Sequence, residues 1–298
     1  MPKKRRSPQL VRIIKRDGRL NILGTNRWYS YWRDPYHLLL TVPWGGFLAV
    51  VALGYVLANA LFALAYLAGG NGIENARPGN FADAFFFSVQ TMASIGYGAM
   101  YPRTLYAHTL VAIESLVGLM GLAMGTGLAF ARVSQPTARV LFSNVAVVAL
   151  HNGVPTLMFR TANERRNQIL EAELRVRLAK DELTTEGQFM RRIYDLPLLR
   201  SQNPSFALSW TAMHQINESS PLYQATVESL AAAEASIIVT LIGIDETVSQ
   251  TIHARHVYVA PEIIWNMQFA DILLRKSNGD RYIDYSRFHD TVPSSLNS

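Results

Sequence analysis

The first half of the chain contains two long apolar stretches with a shorter one between them. The first, residues 42–69, runs for 28 residues without a charge, and the second, residues 105–131, carries a single carboxylate, Glu114. About 20 apolar residues suffice to cross the hydrocarbon core of a bilayer. The pattern therefore predicts an outer helix at 42–69 and an inner helix at 104–133, both spanning a membrane.

The short apolar stretch starts at Phe81 and covers about 14 residues, which is too few to span a bilayer and is typical of a re-entrant segment. Asn80 and Asp83 suit a helix N-terminus, where amide and carboxylate side chains bind free backbone N–H groups. We therefore expect a short pore helix at 81–93.

A Gly-Tyr-Gly sequence at residues 96–98 follows this helix. Either the glycines form a tight turn, or they let backbone carbonyls point toward one axis. Irregular backbone in a bilayer is tolerated only where protein or a water-filled cavity covers it. In potassium channels, loops of this kind from four chains replace the hydration shell of K⁺. The position between a half-helix and a second span favours this second explanation. It predicts a filter at 94–98 that binds K⁺ ions, and a homotetramer.

Beyond residue 135 the pattern changes to short runs of β-branched and aromatic residues, separated by Gly, Pro, Asn and Ser. Apolar and polar residues alternate strictly from Leu174 to Leu178, as in a half-buried strand. This pattern predicts an all-β sandwich over residues 135–298. The Glu, Ala and Leu content of residues 168–183 is also compatible with a helix.

Positive charge is concentrated before the first span. About ten Lys and Arg residues precede it, whereas Arg77 and Arg103 are the basic residues between the spans. The positive-inside rule then predicts a multi-pass protein of the plasma (inner) membrane with both termini cytoplasmic. Aromatic residues at 28–37 indicate a slide helix along the interface, with a solvated linker as the alternative. We interpret residues 1–41 as a basic arm and slide helix, ahead of a transmembrane pore domain at 42–134.

Composition argues against several other classes of protein. The chain has no cysteine, which excludes disulfides, thiolate metal sites and cysteine nucleophiles. His253 and His256 have metal-ligand spacing only on a helix, and they lie in a strand-like run. No phosphate loop, paired nucleophile and base, or nucleic-acid reading module is visible behind the basic N-terminus. We expect no enzyme activity, no cofactor, no metal ion beyond K⁺ and no nucleic-acid partner.

Several longer motifs carry a family resemblance. They read FFFSVQTMASIGYG, LFSN, EAELRV, TTEGQ, ESSPLY, EIIW and DYSRFHDT. With the inner span, they make the chain from about Tyr31 to Thr291 resemble the prokaryotic branch of the inward-rectifier potassium channel family. The resemblance implies an outer helix, pore helix, filter and inner helix, then an immunoglobulin-like β-sandwich that forms a cytoplasmic vestibule. It also implies passive conduction of K⁺.

The resemblance assigns the selectivity filter to Ser94, Ile95, Gly96, Tyr97 and Gly98. The family usually has threonine where this chain has Ser94, whose hydroxyl can still supply the innermost oxygen from a less constrained rotamer. Many relatives also support the filter with a carboxylate and an arginine, and the matching positions here are Gln90 and Met100.

The inner helix carries three further expectations. Glu114 is expected to support the filter from behind, or to be a buried carboxylate hydrogen-bonded to the pore-loop backbone. Phe130 lies where the inner helices converge in the family and would form an apolar gate, and a phenylalanine that faces lipid or a neighbouring helix is the alternative. Gly118 and Gly127 match the family's bending points, and close packing of small residues is the alternative explanation for both.

The resemblance also bears on block from the cytoplasm. Leu122 replaces the inner-helix acid that holds Mg²⁺ or polyamines in strong rectifiers. Gln188 replaces a vestibule acid, whereas Glu246 matches a second one. We therefore expect only weak block by Mg²⁺ or polyamines.

Three arginines, Arg33, Arg132 and Arg139, are expected to bind anionic phospholipids. Each basic residue near an anionic leaflet contributes about 1 kcal/mol, so a few of them can bias a gate. The cytoplasmic domain is expected to act on the gate together with these lipids.

Two other functions remain open at this point. Ser94 and the missing charged pair at 90 and 100 are compatible with a non-selective cation channel. A membrane-anchored β-sandwich sensor would use the apolar half only as an anchor, but an anchor has no need of a re-entrant helix and a Gly-Tyr-Gly loop.

Overall fold

The structure is a computed structural model that describes residues 12–16, 19–23, 34–165, 167–275 and 281–294. The chain divides into two compact units, Asn26–Gln135 and a second one that joins Met1–Thr25 to Pro136–Ser298. Near the N-terminus, β1 (Arg12–Arg16) and β2 (Arg19–Leu23) form an antiparallel pair. Much of the predicted arm and slide helix, Arg33 included, lies outside the described residues.

The described part of the Asn26–Gln135 unit is mainly helical. It contains α1 (Pro35–Thr41), α2 (Trp44–Ala68), β3 (Ile73–Glu74), α3 (Phe81–Met92), β4 (Tyr101–Pro102) and α4 (Leu105–Val133). Asn80 Oδ1 accepts a hydrogen bond from the Asp83 N–H (3.0 Å) at the start of α3, and Thr104 Oγ1 accepts one from the Ala107 N–H (3.2 Å) at the start of α4. These side chains set where the two helices begin.

The helices α2 and α4 are long and apolar enough to cross a membrane, yet a single chain leaves most of their surface uncovered. Only 17% of the most apolar window of α2 and 6% of that of α4 are buried. The helices meet α3 in a small apolar cluster that includes Ala63, Phe87 and Ala107. A soluble core helix would be buried far more completely, so the remaining surface needs lipid or further chains to cover it.

The Pro136–Ser298 part of the second unit is built from strands. They are β5 (Val140–Phe142), β6 (Ala146–His151), β7 (Val154–Asn163), β8 (Ile169–Leu183), β9 (Phe189–Asp195), β10 (Gln202–Phe206), β11 (Ser209–Gln215), β12 (Ser236–Asp245), β13 (Gln250–Val259), β14 (Ile263–Trp265), β15 (Met267–Phe269), β16 (Leu273–Arg275), β17 (Arg281–Ile283) and β18 (Thr291–Pro293). A short helix, α5 (Val227–Ala232), precedes β12.

Two five-stranded sheets form a sandwich. One has the order β10-β8-β12-β13 with β9 also paired to β8, and the other has the order β11-β7-β6-β14 with β5 also paired to β7. The pairs are antiparallel except for β14 with β6. The core between the sheets brings Leu157 and Phe159 of one sheet together with Val176 and Ile237 of the other.

Residues 169–183, which composition left open between strand and helix, form β8. Leu174, Val176 and Leu178 are buried, while Arg175 and Arg177 between them are exposed. The two-residue alternation therefore decides the conformation of this segment. The predicted fold class is confirmed: a two-span pore unit with a re-entrant helix is followed by an all-β sandwich.

Candidate pore site

The segment predicted to be the filter begins at the C-terminal end of α3. The Ser94 N–H donates to the Thr91 carbonyl (3.1 Å), and the Ile95 N–H donates to the Gln90 carbonyl (2.8 Å). These bonds use carbonyls that a helix end leaves without partners inside the helix. The inner end of the segment is therefore fixed to the pore helix.

Every second residue of this segment has a left-handed backbone. The φ angle is 55° at Ser94, 60° at Gly96 and 77° at Gly98, and it is not positive at the residues between them. Glycine adopts such angles freely, whereas at Ser94 they cost about 1–2 kcal/mol. This alternation suits a strand that turns successive carbonyls toward one side, as a carbonyl-lined ion path requires.

A buried polar cluster lies behind the pore helix. Glu114 of α4 is fully buried and accepts hydrogen bonds from the Tyr66 hydroxyl of α2 (2.6 Å) and from the Ser88 hydroxyl of α3. Ser88 Oγ also lies 3.0 Å from Asn59 Oδ1 of α2. A buried carboxylate needs donors in place of water, and here these donors tie three helices together.

Glu114 is buried and hydrogen-bonded, as one of its two expectations had it, but its donors are side chains rather than pore-loop backbone. Ser88 lies in the middle of α3, and support of the filter by Glu114 stays a prediction. The sequence reasoning missed Asn59, Tyr66 and Ser88, although a polar residue such as Asn59 within a long apolar helix is itself a sign of an internal partner.

Positions 90 and 100 do not form a polar support in the described chain. The Gln90 side chain makes no hydrogen bond there, although its backbone carbonyl accepts one from Ile95. Met100 packs against the apolar cluster between α2, α3 and α4. Within one chain, Gln90 contacts the filter segment through its backbone carbonyl, and support by its side chain stays a prediction.

The residues of the inner helix that have predicted roles differ in their surroundings. A Cβ on Gly118 would lie 2.4 Å from the Met92 carbonyl oxygen, so this glycine lets α4 touch the end of α3. A Cβ on Gly127 would meet nothing within 4 Å in one chain. Leu122 and Phe130 expose 70% and 72% of their surface in the single chain. Close packing thus accounts for Gly118, while bending stays a prediction for Gly127.

Arg132, near the C-terminal end of α4, binds the end of α1 and the residue that follows it. Its guanidinium donates hydrogen bonds to the carbonyls of Leu39 and Val42 (2.5 Å to the latter). The same group lies over the rings of Trp44 and Phe47, 4.9 Å from each centroid. The side chain expected to bind lipid is therefore engaged with protein carbonyls and aromatic rings.

Arg139 has a different environment from Arg132. It is exposed, and its guanidinium forms no hydrogen bond or ion pair with any described residue. Its backbone carbonyl accepts a hydrogen bond from the Glu164 N–H (3.0 Å), which ties it to the loop after β7. Two of the arginines expected to bind lipid, Arg132 and Arg139, are among the described residues, and Arg139 is the one whose guanidinium is free.

The two vestibule positions lie at opposite ends of β8. Gln188 follows the turn after β8, is exposed, and donates its N–H to Thr184 Oγ1 (3.3 Å). Glu246 follows β12 beside the first residues of β8, and its carboxylate accepts a hydrogen bond from the Gln168 N–H (3.2 Å). The fold of one chain therefore does not bring these two side chains together.

A polar cluster that the sequence reasoning missed anchors the residues just after the inner span. Asp245 is buried and accepts hydrogen bonds from Arg165 (2.7 Å), Asn167 (2.8 Å) and the Thr247 N–H (2.9 Å). Arg165 also donates to Thr137 Oγ1 (2.8 Å). Burial alone raises the pKa of Asp245, but these hydrogen bonds outweigh it, so the pKa lies below its usual value.

The two histidines with metal-like spacing lie on β13, as the strand-like pattern indicated. His256 stacks on Phe142 at 5.3 Å and contacts Tyr258 at 4.5 Å, and burial lowers its pKa. Within the described residues, no group of three or more His, Asp or Glu side chains is placed to hold a metal ion.

Comparison with known proteins covers both units. The family "Inward rectifier potassium channel C-terminal domain" matches residues 140–297, and the family "Ion channel" matches residues 47–135. The chain is 47% identical to inward rectifier potassium channel Kirbac3.1 of Paramagnetospirillum magnetotacticum over 280 residues, which cover 94% of this chain and 95% of that protein. The chain belongs to the inward rectifier potassium channel family. Its sequence places it in the prokaryotic branch.

Animal members of the inward rectifier family are similar over the same part of the chain. Human inward rectifier potassium channel 18 is 31% identical over 310 residues, covering 95% of this chain and 71% of the human protein. ATP-sensitive inward rectifier potassium channel 12 of Gallus gallus is 30% identical, with coverage of 95% and 72%. The inward rectifier architecture therefore extends across both units.

Proposed function

We propose that this inward rectifier family member is a K⁺-selective channel, in which four chains conduct K⁺ passively through rings of carbonyls at residues 94–98. The observation that carries the proposal is the positive φ at every second residue of a loop between a re-entrant helix and a second span. Rings of such carbonyls replace the hydration shell of K⁺. The ion is then a bound permeant species, and the protein needs neither a catalytic centre nor a cofactor.

A homotetramer accounts for the exposed apolar surface of the single chain. Tyr97, Leu122 and Phe130 each expose 70% or more of their surface, and one chain supplies only one filter strand. Four copies around an axis are the known arrangement for this loop. Membership in the inward rectifier family supports the same number.

The proposed channel lies in the plasma (inner) membrane with both termini in the cytoplasm. The excess of Lys and Arg before α2 over the loop between the spans supports this orientation. The β-sandwich then lies in the cytoplasm, where four copies around the axis can enclose a vestibule for K⁺.

The gate is proposed at Phe130, where four phenyl rings would narrow the pore and favour its dewetting. Gly127, three residues earlier, would supply the bend. Arg132, two residues later, holds the end of α4 to the end of α1 and to Val42. A movement of α1 along the membrane surface would therefore reach the gate through Arg132.

The cytoplasmic domain is proposed to act on the gate through the residues that follow α4. Asp245 and Arg165 fix Thr137, four residues beyond the end of that helix. The free guanidinium of Arg139, together with Arg33, is proposed to bind the phosphates of anionic phospholipids. Lipid binding and cytoplasmic movements would then converge on the same linker.

Weak rectification is proposed because Leu122 and Gln188 carry no charge. Leu122→Asp should introduce four carboxylates on the axis and produce steep, voltage-dependent block by internal Mg²⁺ or spermine. Leu122→Asn is the matched control and should leave block weak. Steep polyamine block of the unmodified channel at low concentration would contradict the proposal.

Ion flux into liposomes tests the main proposal, with Rb⁺ or K⁺ compared against Na⁺. Gly98→Ala should abolish flux, because alanine is strained at a φ of 77°. Gly187→Ala is a matched control, since Gly187 has the same φ in a cytoplasmic turn and equally open space around a Cβ. Its flux should be unchanged.

The flux assay also decides between the alternatives. Equal Na⁺ and K⁺ flux would favour a non-selective cation channel, for which the lack of polar side-chain support at Gln90 and Met100 is the motivating observation. Absence of flux under all lipid conditions would favour the membrane-anchored sensor.

A further inference from the structure

The loop between α2 and α3 is fastened to the segment that leaves the filter. Strands β3 and β4 pair in antiparallel fashion, and the Arg103 N–H donates to the Gly72 carbonyl (2.7 Å). The Arg103 guanidinium lies 3.5 Å from the Glu74 carboxylate. We call residues 72–75 and 99–103 the outer clip.

One contact of the outer clip reaches the end of the filter. Asn75 Nδ2 donates a hydrogen bond to the carbonyl of Ala99, the residue directly after Gly98. The bond length is 2.9 Å. Asn75 has a φ of 63°, an angle that asparagine tolerates better than most residues. The backbone angle at Asn75 sets the direction of the loop, and its short amide side chain makes the hydrogen bond to Ala99.

This bond has no counterpart in the neighbouring residues. Within the described chain, residues 96–100 make no other hydrogen bond through backbone or side chain. The inner end of the filter is held by the bond from Ile95 to Gln90. Within one chain, the outer end is held by Asn75, by the apolar packing of Met100 and, from Tyr101 onward, by the pairing of β4 with β3.

We propose that Asn75 is a positioning residue that holds the outer end of the filter in its conducting form. This inference rests on the proposed K⁺ conduction and deepens it. Carbonyls that face ions cannot also bind protein donors, so the strand is held by its ends and by the ions themselves. Bound K⁺ stabilises the conducting form by mass action, so loss of the Asn75 bond should matter most when K⁺ is scarce.

The test uses the full-length tetramer and three variants. Asn75→Asp keeps the shape and the tolerance for positive φ but loses the donor, and Asn75→Gly adopts the same φ without a side chain. Asn71→Asp is the matched control, because Asn71 is exposed on the same loop and its side chain makes no hydrogen bond in the described chain. It adds the same charge near the outer mouth without touching the filter.

Two quantities are measured: the K⁺ concentration that half-protects the tetramer against heat, and the ratio of Rb⁺ to Na⁺ flux in liposomes. We expect both Asn75 variants to need about two- to tenfold more K⁺, the factor that corresponds to one net hydrogen bond. Their Rb⁺ to Na⁺ ratio should fall at low K⁺. Asn71→Asp should match the unmodified chain in both assays.

The inference is overturned if the Asn75 variants match Asn71→Asp in K⁺ dependence and selectivity. If Asn75→Asp does not assemble, Asn75→Gly decides, and Asn75→His, which retains an N–H donor, should recover the unmodified behaviour. If the proposed function itself is wrong, the unmodified chain will show no selective Rb⁺ flux. A selective unmodified channel with unaffected Asn75 variants rejects this inference alone.

Discussion

Replacing Gly118 by alanine separates packing from bending on the inner helix. The new Cβ would lie 2.4 Å from the Met92 carbonyl oxygen and 3.0 Å from Met92 Cγ, and Cβ atoms essentially never come closer than 3.0 Å to another heavy atom. The oxygen belongs to the backbone and cannot rotate away as a side chain can. Helix α4 or the end of α3 must therefore shift by at least about 0.6 Å, the difference between 2.4 and 3.0 Å.

The expected magnitude follows from a comparison with Gly121. A Cβ on Gly121 meets nothing within 4 Å in one chain, so Gly121→Ala should keep only the helix-propensity gain of about 1 kcal/mol. Gly118→Ala has the same gain but adds an overpacking cost of about 1–3 kcal/mol. The difference between the two variants isolates the contact with Met92 at about 1–3 kcal/mol per chain.

Thermal unfolding of the tetramer in detergent, followed by Trp fluorescence, measures this difference, and Rb⁺ uptake into liposomes measures its effect on the filter. Met92 lies two residues before Ser94, so we expect Gly118→Ala to lower both stability and flux. If Gly118→Ala melts and conducts like Gly121→Ala, the packing explanation is refuted. Normal stability with altered gating alone would instead support a hinge at Gly118.

Four further changes test other parts of the structure. Glu114→Gln replaces a carboxylate that accepts two hydroxyl hydrogen bonds by an amide with one acceptor oxygen. Thermal unfolding of the tetramer should show a loss of stability of about 1–3 kcal/mol per chain, and conductance should fall. Unchanged flux with lower stability would indicate that the carboxylate has a purely structural role. Arg132→Lys keeps the charge but loses the planar fork that binds two carbonyls, so single-channel recordings should show a changed open probability, and an unchanged one would mean that charge alone matters. Asp245→Asn weakens the anchor of Arg165, so it should shift the open probability and destabilise the full chain at pH 7. Because the pKa of Asp245 is lowered, its contribution to stability is complete above the ordinary value of 3.8 and is lost as pH falls through the lowered pKa. Unfolding curves of the unmodified chain and the variant should therefore converge in that acid range and not at neutral pH. His214 is buried on β11, where its ring nitrogens lie 2.7 Å from the Pro197 carbonyl and 2.8 Å from Ser220 Oγ. Burial lowers the pKa of His214, so its contribution to stability is complete above the ordinary value of 6.5 and declines as pH falls below it. His214→Gln should make this decline less steep in unfolding experiments, and an equally steep decline would assign it to other groups.

The fold could be predicted from the sequence because its governing patterns are local. The outer helix has Pro43 before its first residue and Gly69 after its last, and both residue types mark helix ends. In β8, the alternation from Leu174 to Leu178 outweighs a composition that also suits a helix. Patterns of this kind depend on neighbours along the chain, and they need no knowledge of which segments meet.

The candidate site could be predicted from the sequence only in part, because its contacts join residues that are far apart along the chain. Glu114 could be recognised as a residue that needs a partner, but Tyr66 and Ser88 are 48 and 26 residues away from it in the chain. Nothing in the local pattern pairs them, and the same holds for Asn75 and Ala99, which are 24 residues apart. Burial cost predicts that a partner exists, whereas only the packing of helices determines which residue it is.

Arg132 shows how this limit changes a functional argument. A helix leaves its last carbonyls without intrahelical partners, and Leu39 lies among the last residues of α1. The guanidinium of Arg132 fills that need for Leu39 and Val42 at once. A lipid phosphate could recruit Arg132 only if the guanidinium gave up these bonds to the half-buried carbonyls, at a cost of about 1.5–3 kcal/mol for each hydrogen bond to a charged group. Arg139 carries no such cost, so anionic lipid is expected to act first on Arg139 and on the linker that Asp245 and Arg165 hold.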